Sequence, residues 1–74
     1  MKLSEFIKQY RLSKNLNQKD FCKQLKLGRN TLINIENNQY GNTLTFKTID
    51  KISDYCQVST LDVREMMKND KIDQ

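Results

Sequence analysis

Apolar residues return along the chain at intervals of three and four, with polar residues between them, a pattern of amphipathic helices rather than strands. Leu3, Phe6, Ile7 and Tyr10 follow the i, i+3, i+4, i+7 rule and predict a first helix running to about Lys14. Ser4 is the candidate cap at its start. Asn15, Leu16 and Asn17 interrupt the period; Leu16 is expected to point inward and Asn17 to cap a second helix from Gln18 to about Leu25. That helix turns Phe21, Cys22 and Leu25 toward the core. Lys26, Leu27 and Gly28 then form a three-residue turn, with Gly28 as the cap of a third helix from Arg29 to about Asn37 that buries Leu32 and Ile35.

Residues 37–43 (Asn-Asn-Gln-Tyr-Gly-Asn-Thr) make the clear loop. Thr45 is the expected cap of a fourth helix, with Leu44 placed to staple onto Ile49. Phe46, Ile49, Ile52, Ser53 and Cys56 make its inner stripe. Ser59 or Thr60 caps a fifth helix reaching about Lys68, and residues 69–74 read as a frayed tail. The expected fold is therefore all-α: a compact bundle of five helices and one domain over residues 1–68.

A chain of 74 residues has room for a single thin core, so nearly every large apolar residue must serve in it. Cys22 and Cys56 lack metal-ligand spacing and sit among apolar residues at helical intervals, which makes them small core side chains. The absence of an apolar leader or long apolar run points to a soluble, cytoplasmic protein without membrane contact. Histidine is missing, no carboxylate cluster stands out, and Gly28 and Gly41 are the only glycines. General-base catalysis by His, phosphate-loop chemistry and the usual metal sites are thereby closed. No enzymatic activity, catalytic residue, metal, cofactor or small-molecule substrate is expected.

The net charge of +4 is unevenly spread. Residues 1–34 carry eight Lys or Arg against Glu5 and Asp20, a surplus of six; residues 35–74 carry five against seven acids, a deficit of two. A basic first half suggests a polyanionic partner.

Two short helices around a three-residue turn can be any αα-corner, but the stretch from Gln18 to Glu36 is more particular. Phe21 and Cys22, Leu25, Leu27, and Thr31-Leu32-Ile33-Asn34-Ile35-Glu36 fall in register with the helix-turn-helix of the Cro/lambda-repressor (XRE-type) family, which the chain resembles. Arg11, and the run from Thr45-Phe46 through Ile49 and Ile52 to Val58-Ser59, match the family outside the motif, so the resemblance covers about residues 3–67. Two positions depart from it. Lys26 stands where Gly is usual, and a positive φ there costs about 1 kcal/mol. Gly28 stands where Ser or Thr is usual, giving up a capping and phosphate-contacting hydroxyl.

The resemblance implies a lambda-repressor-like fold whose third helix enters the major groove of double-stranded DNA. Arg29, Asn30, Ile33 and Asn34 lie on the helix face opposite Leu32 and Ile35 and are the candidate base readers. Arg29 suits guanine, Asn30 or Asn34 adenine, and Ile33 a thymine methyl. Asn17, Gln18, Lys19 and Gly28 are candidates for phosphate contact, with Gln18 implied by resemblance to brace Arg29. Asn38, Gln39, Tyr40 and Asn42 form a second polar edge, and Lys47 opposes the dipole at the start of the fourth helix unless a phosphate lies near. Arg11 and Glu36 are implied to form a structural ion pair. Leu61, Met66 and Met67 are the candidate dimer surface, with Val63 completing the core. The expected function is a DNA-binding repressor acting as a homodimer on a palindrome. The alternative is a five-helix interaction module, such as an antitoxin or other partner-binding protein, with weak or no specific DNA binding.

Overall fold

The computed structural model describes residues 1–41 and 44–72. They form α1 (Leu3–Ser13), α2 (Gln18–Leu25), α3 (Arg29–Glu36), α4 (Phe46–Cys56) and α5 (Thr60–Ile72), with no strand among the described residues.

Three helices start on local side-chain caps. The Asn17 Oδ1 accepts the Asp20 N–H at 2.8 Å, the Thr45 Oγ1 the Thr48 N–H at 3.2 Å, and the Ser59 Oγ the Asp62 N–H at 3.0 Å. Each satisfies one of the amides a helix start leaves without an internal partner. Helix α1 differs. Ser4 lies inside the helix rather than capping it, and its N–H and hydroxyl both donate to Asp70, at 3.0 and 2.7 Å. The cap of α1 comes from the far end of the chain.

Four helix ends share one closing device. Asn15, Lys26, Asn38 and Gln57 take the left-handed conformation (φ 55–59°). In each case the next residue's N–H reaches five residues back: Leu16 to Arg11 O, Leu27 to Cys22 O, Gln39 to Asn34 O and Val58 to Ser53 O. This is the Schellman closure, which usually tucks an apolar residue in just after the left-handed one. Leu16, Leu27 and Val58 do so, packing against the core. Gln39 does not; it is exposed.

Phe21 anchors the core between Tyr10 and Tyr55, with ring centroids 6.2 and 5.7 Å away. Leu3 and Ile7 of α1, Cys22 and Leu25 of α2, Leu32 and Ile35 of α3, Tyr40 after it, Ile49, Ile52 and Cys56 of α4, and Val63 and Met66 of α5 complete it. Helix α1 packs on α3 and α5, α4 on α5, and α2 on α3 and α4.

Three expectations require correction. Phe46 is 71% exposed rather than part of the inner stripe. Leu44 and Met67 fill the core margin at that end, and the ring lies instead under the Arg64 guanidinium, 5.1 Å from its centroid. Helix α5 does not stop near Lys68: residues 69–72 are helical, and Asp70 is buried. Val63, Met66 and Asp70 stand at i, i+3 and i+7 on the face that meets the core, which is why the helix continues. Met66, a candidate dimer residue, is buried in the same stripe, leaving Leu61 76% exposed and Met67 partly buried.

Candidate nucleic-acid interface

Helix α3 is held from below by Leu32 and Ile35, both with no exposed surface. Arg29, Asn30 and Asn34 consequently face solvent on the opposite side. Ile33 is half-buried rather than fully exposed. Helical side chains lean back toward the preceding turn, so its aliphatic body lies along the Arg29–Asn30 turn.

The last turn of α3 is fixed by a charge pair. Arg11 Nε and Nη2 donate to Glu36 Oε2 and Oε1 at 2.9 and 3.0 Å, while Arg11 Nη1 donates to the Leu16 carbonyl at 3.0 Å. The side chains are only 12% and 3% exposed. The Gln18 amide donates to Glu36 Oε1 at 3.4 Å, so its bond runs to this pair rather than to Arg29 as the resemblance implied. The two-pronged geometry orients α1, the start of α2 and the end of α3 together.

The electrostatics of the helix starts differ between neighbours. The first turns of α1, α2 and α5 carry Glu5, Asp20 and Asp62, which suit the positive end of a helix dipole. Those of α3 and α4 carry no acid and instead hold Arg29 and Lys47, both exposed. Cationic side chains at a positive dipole end are unfavourable unless an anion comes between. Asn17 and Lys19 are exposed beside the α2 start, and Gly28 is exposed at the α3 start with extended backbone (φ −66°, ψ 148°).

The second polar edge divides in two. Gln39 is exposed. Tyr40 is 4% exposed and donates its hydroxyl to Asp70, and Asn38 is half-buried with its amide on the Asp70 carbonyl at 3.2 Å. Tyr40 is therefore a core residue rather than a phosphate contact, because the left-handed Asn38 turns the chain back toward α1 and α5. Burial and the Asp70 carboxylate push the Tyr40 hydroxyl far above its ordinary pKa, so it stays a donor. Asn42 lies outside the described residues. The role of Asp70, and its bonds to Ser4 and Tyr40, were not anticipated from the sequence. The signal for Asp70 was its place in the Val63–Met66 stripe.

Burial pushes the Cys22 thiol up and the Cys56 thiol to about 11; both cysteines are free and protonated at neutral pH. Among the described residues, no group of three or more His, Cys, Asp or Glu is placed to hold a metal ion. No described helix is long and apolar enough to cross a membrane.

A family model described as helix-turn-helix matches residues 7–63. The chain belongs to the helix-turn-helix family of the Cro/C1 (XRE) type. Neither the curated proteins nor the solved structures contain a match to it. The five helices are those of the family's lambda-repressor-like all-α fold, with α2 and α3 as the helix-turn-helix. A helix-turn-helix protein of this type is a DNA-binding regulator, and its α3 is the helix whose outer face carries Arg29, Asn30 and Asn34.

Proposed function

We propose that the protein is a sequence-specific transcriptional repressor that binds a palindromic operator as a homodimer and blocks polymerase sterically. The observation that carries this reading is the outer face of α3. Arg29, Asn30 and Asn34 are exposed together on a helix whose other face is fully buried and whose last turn is locked by Arg11 and Glu36. Arg29 reads guanine through O6 and N7, Asn30 or Asn34 reads adenine, and the exposed part of Ile33 meets a thymine methyl. Asn17, Gln18, Lys19, Gly28, Gln39 and Lys47 position the helix on phosphates without reading sequence.

Two copies are needed for a palindrome. One chain carries a single recognition helix, α3, whereas the two half-sites lie roughly 34 Å apart on successive major-groove faces. The dimer surface is the outer side of α5, where Leu61 is 76% exposed and Arg64 one turn later covers the exposed Phe46, with Met67 at its margin. That exposure is more apolar surface than so small a monomer usually carries.

Selection from a random duplex pool tests the reading. A palindromic winner with half-sites about one helical turn apart supports a dimeric reader. Winners without symmetry remove the homodimer, and a pool that never enriches removes sequence-specific binding.

A further inference from the structure

The α3 end raises a question that the other three helix ends do not. Where Leu16, Leu27 and Val58 anchor their closures by packing on the core, Gln39 is polar and exposed, so the turn needs another anchor. Asp70 meets that need. Its carboxylate is 1% exposed and accepts the Tyr40 hydroxyl, while its backbone carbonyl accepts the Asn38 amide at 3.2 Å. The residues on both sides of Gln39 are thus held by one residue of α5, and the Gln39 N–H is itself committed to the Asn34 carbonyl at 2.8 Å. The Gln39 side chain, exposed and without a role in the closure, is left free to act.

We propose that Asp70 is a positioning residue for DNA contact: by clamping Asn38 and Tyr40 it holds the turn after α3 rigid, so that the Gln39 side chain meets a backbone phosphate beside the recognition helix. This rests on the DNA-binding reading above. A buried carboxylate is costly to desolvate and is kept only where its hydrogen bonds are well made. Asp70 has a second duty, as the cap of α1 through Ser4. The two duties use different partners and can be separated by substitution. Fixing the turn before binding removes an ordering cost that a loose turn would meet on the DNA.

The test uses the full chain and the duplex won by selection. Affinity, its dependence on salt, and melting temperature are measured for wild type, Tyr40→Phe, Ser4→Ala, Gln39→Ala and the Tyr40→Phe/Gln39→Ala double variant. Tyr40→Phe keeps the ring in the core and removes one arm of the clamp. The expected result is a loss of affinity on the order of fivefold, the scale of one hydrogen bond. The salt slope should stay at the wild-type value, because a neutral amide on a phosphate releases no counterion. Gln39→Ala should show the same loss of affinity and the same unchanged slope, and the double variant should lose no more than either single one. Ser4→Ala should lower the melting temperature while leaving affinity and slope at wild-type values. Additive losses in the double variant, or wild-type affinity in Tyr40→Phe, would overturn the positioning role while leaving DNA binding intact. A wild-type chain that binds no duplex would overturn the DNA-binding reading and this role with it.

Discussion

The ends of α2 and α3 are built alike and used differently. Both close with a left-handed residue that is not glycine, Lys26 and Asn38, and with a hydrogen bond from the following amide five residues back. At the α2 end that following residue is Leu27, packed against the core, and the turn is anchored by apolar contact. At the α3 end it is Gln39, exposed, and the turn is anchored by polar groups: Glu36 on Arg11 in the last helical turn, and Asp70 on Asn38 and Tyr40 beyond it. Apolar anchoring uses up the side chain that provides it. Polar anchoring from elsewhere leaves the residue at the turn free to face a partner, at the cost of buried charges that must stay paired.

If the α3 end depends on polar anchors, breaking one should be severe. Glu36→Ala strands the Arg11 guanidinium, 12% exposed, and is expected to cost about 3–5 kcal/mol, read by chemical denaturation. DNA affinity should then fall with the folded fraction; a loss under about 1 kcal/mol would mean that the pair is dispensable and the contrast overstated. Leu27→Ala should cost less, about 1–2 kcal/mol, because Leu27 is only half-buried and complete burial gives 2–5 kcal/mol.

Smaller effects sharpen the same contrast. Lys26→Gly relieves the left-handed strain and should stabilise by up to about 1 kcal/mol in a thermal melt. The Lys51 amine donates to the Lys26 carbonyl at 2.7 Å, a backbone contact that glycine keeps. Gly28→Ser should add a few tenths of a kcal/mol by restoring a capping hydroxyl to α3. There is room for it, since a Cβ at that position meets only Thr31 Oγ1, at 3.7 Å. If Gly28→Ser also tightens DNA binding, the hydroxyl has found a phosphate.

Much of this architecture is legible in local pattern. Leu3–Ile7, Phe21–Leu25, Leu32–Ile35 and Ile49–Ile52–Cys56 recur at helical spacing, and Asn17, Thr45 and Ser59 announce the starts of the helices that follow them. What escaped depends on contacts distant along the chain. Ser4 has the look of a local cap, but its partner Asp70 lies 66 residues away. Tyr40, in a run of Asn, Gln and Gly, has the company of a surface loop, and only the α5 carboxylate 30 residues on draws it inward. Phe46 falls on the α4 stripe by spacing, yet Leu44 and Met67 pack against the core while Phe46 stays exposed. Periodicity finds faces; it does not say which of two apolar neighbours wins a place in a thin core. The exposure of Arg29, Asn30 and Asn34 followed from the period of α3, whereas the polar anchors at its end needed the fold.

The central claim is that the outer face of α3, with Arg29 and Asn34 foremost, reads sequence while the polar residues flanking it hold phosphate. The most direct measurement is a titration of wild type and the Arg29→Ala/Asn34→Ala variant against the selected duplex and a scrambled one at fixed salt. The account predicts wild-type preference for the selected duplex of about 10³-fold or more, collapsing toward equal binding in the variant while its melting temperature holds. A variant that keeps the preference, or a wild type that binds both duplexes equally, would contradict it.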